Sequence, residues 1–188
     1  MFRKVAILLA VAAALLAFST GCSSGTSSKT SVTVTTTAGG QAAGSSASAT
    51  SCPTSNTKAF AKTRFVADAA LAGGAFKRYI YTPARSGKFA KGANGRVTAL
   101  VKAGLAGAFV INRLDAAKNA AEANPTLCKL IVAPLQRLKT SITGLVSKSH
   151  SGSISPSDVT STNSELQGFH GAASQGGAGF TDNQNVSV

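Results

Sequence analysis

The stretch NPTLCKLIVAPLQRLKTSITGLVSKS, residues 124–149, decides the fold class. Asn124 is a good helix N-cap, and Pro125 suits the first helical position, where its missing N–H is not needed. Leu127, Ile131, Leu135, Leu138, Ile142 and Leu145 then recur at spacings of three and four. That spacing puts them on one face of an amphipathic helix. Pro134 lies inside it and predicts a bend, because it lacks an N–H and its ring crowds the carbonyl one turn back.

Working outward, the same period appears on both sides. Gly95–Ala123 reads as a helix with Val97, Val101, Leu105, Ala108, Ile111 and Leu114 as its main stripe and Asn94 as its cap. Lys58–Tyr81 carries Phe60, Phe65, Val66, Ala69, Phe76 and Ile80. Thr82-Pro83 reads as its end, since a residue before proline is pushed out of the helical region. Arg85–Gly95 holds three glycines and reads as a loop. Downstream, Ser155-Pro156-Ser157-Asp158 opens a weaker helix with a capping-box pattern and the stripe Val159, Thr162, Leu166 and Phe169. No alternating strand pattern is present. The expected fold is all-α, an up-down bundle of three strong helices and a weaker fourth. Antiparallel pairing of the first two sets Gly73-Gly74 level with Gly104 and Gly107. This predicts close packing between those helices, or else a small ligand crevice there.

Composition divides the 188 residues into four parts. Residues 1–21 combine a basic start (Arg3, Lys4), a 14-residue apolar run from Val5 to Phe18, and small residues, which is the layout of a secretory signal. Fourteen helical residues span only ~21 Å, short of a bilayer's ~30 Å hydrocarbon core. Residues 22–51 are a tether: 25 of the 29 residues after Cys22 are Ser, Thr, Gly or Ala, too little apolar surface to offset chain entropy. Residues 52–173 form the helical domain. Residues 174–188, rich in Gly, Asn and Gln, read as a disordered tail.

Residues 52–150 hold 16 Lys and Arg against three acids, a charge of +13, so the basic charge belongs to the domain. Lys77, Arg78, Arg85, Lys88, Lys91, Arg96 and Lys102 occur without one acid among them and straddle the loop between the first two helices. They are expected to gather at one end of the bundle and attract anionic envelope polymers or phospholipid headgroups, or else to be a solvated face. Six carboxylates and two histidines are thin material for acid–base or metal chemistry. His150 and His170 fall at opposite ends of adjacent helices. No nucleotide-binding, metalloprotease or CxxC motif occurs, so neither an enzyme nor a cofactor is expected, and export disfavours nucleic acid as a partner. Cys52 and Cys128 sit at a shared end of an up-down bundle. Outside the cytoplasm they are expected to form a disulfide, and otherwise are two buried thiols.

Ser19-Thr20-Gly21-Cys22 resembles a bacterial lipobox. The resemblance implies lipidation of Cys22, which becomes the mature N-terminus on the extracytoplasmic face of the cell membrane. Ser19 departs from the apolar residue usual there, leaving full secretion as the alternative. From Cys52 onward, the stretches 76–81, 92–96 and 125–129 resemble uncharacterised secreted or lipid-anchored proteins of high-GC Gram-positive, actinobacterial bacteria. That resemblance implies a helical extracytoplasmic domain and carries no established activity or site. Size, helicity and the cysteine pair are also similar to exported mycobacterial haem-binding proteins. The implied alternative is a carrier of haem or lipid between the helices, with Tyr79 and Tyr81 as contacts.

Overall fold

A computed structural model describes residues 51–188. The expected signal segment, 1–21, Cys22 and the expected tether through residue 50 lie outside the described residues. The described chain is all-helical: α1 (Ala61–Phe76), a π-helical turn (Lys77–Tyr81), α2 (Thr82–Arg85), α3 (Arg96–Ala121), α4 (Pro125–His150) and α5 (Pro156–Gln175).

Local chemistry sets most boundaries. Asn124 Oδ1 accepts the Leu127 N–H at 2.9 Å and starts α4. Ser155 and Asp158 close a reciprocal capping box at the start of α5. α3 is entered through Gly95 at φ +73°, a left-handed conformation that glycine adopts without Cβ strain, and Asn94 is not its cap. α4 runs unbroken through Pro134. The carbonyl that this proline leaves without an intrahelical donor belongs to Leu130, an exposed residue. Pro83 does not end the first helix either. The turn before it widens, Thr82 N–H donates to Lys77 O five residues back, and the chain continues helical to Arg85.

Ion pairs fix the antiparallel order. Asp68 meets Arg113 at 3.1 Å between α1 and α3, and Asp115 meets Lys139 between α3 and α4. Lys148 meets Asp158 at 2.5 Å and Arg137 meets Glu165 at 3.7 Å between α4 and α5. Phe65 on α1 and Phe169 on α5 pack edge to face at 5.8 Å and join the first helix to the last.

The α4 stripe is buried in full. The α3 stripe is not: Val97, Val101 and Leu105 are 73%, 58% and 58% exposed. The buried face of α3 is instead Leu100, Ala103, Ala106, Gly107, Val110, Leu114 and Ala117. α3 packs against both α1 and α4, and small residues are what allow two neighbours to approach one helix. A Cβ on Gly107 would lie 2.3 Å from Val146 Cγ2, and one on Gly104 3.0 Å from Ser149 Oγ, so these glycines serve the α3–α4 contact. They do not face Gly73 and Gly74 as the sequence suggested.

Gly73 and Gly74 form a notch for the C-terminal segment, and the disorder expected for residues 174–188 is corrected here. α5 runs to Gln175, and the residues beyond it fold back along α1 as a strap. A Cβ on Gly73 would fall 1.9 Å from Asp182 Oδ1, and one on Gly74 1.7 Å from the Asn183 carbonyl oxygen. Asn183 N–H donates to Ala70 O at 2.9 Å. Val186 is buried. The composition of the strap is loop-like, but its few anchoring residues each meet a tertiary partner.

Candidate anionic-surface site

Each of the six acids pairs with a different Lys or Arg, which leaves ten of the sixteen Lys and Arg residues after Cys52 without a carboxylate. The surplus is not spread evenly. Lys58, Lys62, Arg64 and Lys129 lie toward the end where Cys52 and Cys128 are joined, and Arg78, Arg85, Lys88, Lys91, Arg96 and Lys102 lie toward the other.

The seven cations expected to act together divide by commitment. Lys77 pairs with Asp182 Oδ2 at 2.6 Å. Arg78 donates to Gln184 O at 2.9 Å and lies over the Tyr79 ring. Arg85 lies 5.9 Å from the centre of the Tyr81 ring. Arg96 is structural: its Nε donates to Phe89 O at 3.0 Å and its Nη2 to Gly152 O at 2.5 Å. It thereby clamps the loop 86–95 to the end of α4. Lys88, Lys91 and Lys102 are exposed and have no partner among the described residues. Lys88 and Lys91 flank the buried Phe89 that Arg96 holds, so the clamp presents two lysines beside the first turns of α3.

Those turns carry the exposed strip. Val97, Val101 and Leu105 follow each other at steps of four on the outside of α3, continued by Ala108. Beside the strip, α3 and the end of α4 enclose an open groove of about 540 Å³ lined by these side chains, Val146, His150 and Gly152. By length and composition α3 is apolar enough to cross a membrane, with a mean hydropathy of 1.4 over eighteen residues, yet 33% of that window is buried. The helix carries more apolar surface than the bundle covers. No family model, curated protein or solved structure matches this chain.

Tyr79 and Tyr81 do not line the groove. The Tyr79 hydroxyl donates to Val186 O at 3.1 Å, and Tyr81 packs beside Phe76. Cys52 and Cys128 are bridged, with Cα atoms 5.6 Å apart. Among the described residues no cluster of His, Cys, Asp and Glu is arranged to hold a metal.

The sequence reading overlooked one site. Asp182 accepts from Lys77 and meets His170 Nε2 at 2.9 Å, with its side chain only 5% exposed. Phe180 stacks on the His170 ring at 4.1 Å. The available signal was Phe180-x-Asp182 in a segment with no other charge, together with two adjacent glycines inside α1. Burial would push the Asp182 carboxyl up, but the hydrogen bonds from His170 and Lys77 outweigh it and hold the group below its ordinary value. Asp158 is likewise held low, chiefly by Lys148 and then by Ser155.

Both shifts have the same sign for stability. A carboxylate whose folded pKa is depressed contributes above its unfolded value of ~3.9, and that contribution fades as pH falls through the folded value. For these two groups the urea midpoint should be level from neutral pH to about 5 and fall below about 4. Asp182→Asn should lower the midpoint at pH 7 and flatten the acid limb. An acid limb identical to wild type would remove Asp182 from that role.

Proposed function

We propose that the protein is a lipid-anchored extracytoplasmic lipoprotein whose domain is a non-enzymatic binding module for anionic membrane surfaces. The observation that carries this reading is that three exposed lysines without a carboxylate partner, Lys88, Lys91 and Lys102, lie at the same end of the bundle as the exposed strip Val97, Val101 and Leu105. A cation near an anionic surface contributes ~1 kcal/mol, and its effect fades within a Debye length of ~8–10 Å. Three lysines give weak binding, as do three half-exposed aliphatic side chains. Together at one end of the bundle they suit phospholipid headgroups with acyl chains beneath, better than a wholly polar envelope polymer.

The lipobox-like Cys22 supplies the anchor, and two acyl chains hold durably where one is marginal. The Ser/Thr-rich composition of residues 23–51 is that of a flexible tether, for which a reach of ~30 Å is expected, enough for the domain to meet the membrane that holds the anchor. Tethering raises the local concentration, which makes weak contacts sufficient.

Two experiments test this. Cys22→Ser should remove the lipid mass and release the protein from membranes; wild-type mature protein without acyl chains would end the lipoprotein reading. The Cys22→Ser chain should co-sediment with anionic vesicles, much less with zwitterionic ones, and progressively less as salt rises. Lys88→Glu, Lys91→Glu and Lys102→Glu together should weaken binding at least tenfold, and Leu105→Asp should do so separately. Binding indifferent to salt and to these changes rejects the face.

A second reading, a carrier of a small apolar ligand, is favoured by the groove, whose volume falls within the usual ligand-site range of ~300–1,000 Å³. Lipid extraction with mass spectrometry, and an absorbance spectrum after adding haem, separate it from the first. A stoichiometric ligand copurifying with the Cys22→Ser chain would favour the carrier.

A further inference from the structure

The strap from Phe180 to Val186 lies on the bundle as a bound peptide lies in a receptor. Gly176-Gly177-Ala178-Gly179 links it to α5, with Gly177 at φ +65°. Beyond this glycine-rich hinge three residues point inward, Phe180 and Asp182 half-buried and Val186 buried. The Phe180 ring is edge-on to Phe65 at 6.2 Å and stacks on His170. The Asp182 carboxylate is gripped by Lys77 and His170 over the Gly73 notch. Val186 is buried, while Thr181, Asn183, Gln184 and Asn185 are not. Between these anchors the contacts are to main chain: Asn183 N–H to Ala70 O, Arg78 to Gln184 O, and Tyr79 to Val186 O. Main-chain hydrogen bonds supply affinity and side-chain pockets supply selectivity when a protein holds an extended peptide.

We propose that the cleft formed by α1, the π-helical turn and α5 is a recognition site for extended acidic peptides with an aromatic residue two positions before the acid. The chain's own residues 180–186 occupy it as a displaceable clasp. The groups that hold the clasp all lie on helices, and the clasp in turn adds Val186 to the buried core. Lys77 and His170 belong to helical elements, and Gly73 and Gly74 give a carboxylate and a peptide backbone close access to α1. Phe65 and Phe169 form an aromatic floor, paired with each other independently of Phe180. A competing ligand must offer an aromatic ring, a carboxylate and free main-chain groups in the same order.

A short linker gives the clasp an effective concentration in the millimolar range, so the test weakens it within the full chain. The mature chain with Cys22→Ser, Phe180→Ala and Asp182→Asn is labelled with ¹⁵N and titrated with an unlabelled peptide of residues 178–188. The Gly73 and Gly74 amide resonances should return to their positions in the chain with an intact clasp, saturably, with a dissociation constant at least tenfold below that for displacing the intact clasp. A peptide carrying Asp182→Asn should bind at least tenfold more weakly. No return at several millimolar peptide, or equal return with the Asn peptide, overturns the proposal. Loss of the helical circular dichroism of the labelled chain also overturns it, because the helices would then depend on residues 180–186 for their own folding.

Discussion

Reduction of the Cys52–Cys128 bridge should lower the free energy of unfolding by about 4–5 kcal/mol in the chain-entropy model. The two cysteines are 76 positions apart, so the bridge closes a long loop that takes in α1, α2 and all of α3. In the folded bundle the bridge is nearly redundant. Thr57 N–H already donates to Ala123 O at 2.9 Å, and Asn124 Nδ2 to Asn56 Oδ1 at 2.7 Å, at the same end. Its effect therefore lies in the unfolded chain, which gains freedom when the loop opens. Domains of ordinary size are stable by only ~5–15 kcal/mol, so the loss is a large part of the whole. Urea unfolding of oxidised and of reduced, alkylated protein measures it. The midpoint should fall, and the dependence on urea should steepen, because the uncrosslinked chain exposes more surface. A loss below about 1 kcal/mol would mean that the reduced unfolded chain keeps the two ends together by other contacts.

The bridge was legible in the sequence because it followed from topology. An up-down order places the residue before the first long helix beside the start of the third, whatever the side-chain packing. α4 was legible for a related reason. Six branched aliphatics on one stripe leave a single face to bury, and Asn124 marks its start. α3 was harder because it is apolar on two faces. Val97, Val101 and Leu105 make the more obvious stripe by size, but only the face of Ala103, Ala106 and Gly107 admits two neighbouring helices. Bulk argues for one face and close approach for the other, and close approach decides. The spacing does not contain that choice.

The cation cluster shows the same limit. Its residues were visible as a run, and its split was not, because a sequence does not say which cations the fold consumes. Arg96 is spent on two carbonyls, and Lys77 on an acid more than a hundred positions away. Gly73-Gly74 signals close approach in the sequence, but the pair does not say which segment approaches. The true neighbour was a tail whose composition is that of a disordered segment, held by Phe180, Asp182 and Val186.

Phe65→Ala is expected to lose about 3–5 kcal/mol, the usual range for deleting a buried aromatic ring. Phe65 is fully buried and meets Phe169 edge to face at 5.8 Å and Phe180 at 6.2 Å. Removing its ring leaves a void between the first and last helices, and the Asp68–Arg113 pair resists collapse of α1 into it. Aromatic pairs of this geometry add ~0.5–1.5 kcal/mol beyond burial, so the upper part of the range is expected. Two comparisons make the result diagnostic. Leu135→Ala, fully buried on α4, should lose a similar ~2–5 kcal/mol but leave local opening of the strap unchanged. Phe180→Ala, on a half-buried ring, should lose less than half of the Phe65→Ala amount while freeing the strap. Hydrogen exchange at Asn183, whose N–H is bonded to Ala70 O, reads that opening directly. Phe65→Ala and Phe180→Ala should both speed it beyond their effect on global unfolding, whereas Leu135→Ala should speed it only as far as global stability falls. Equal acceleration in all three would show that the strap opens only when the bundle does.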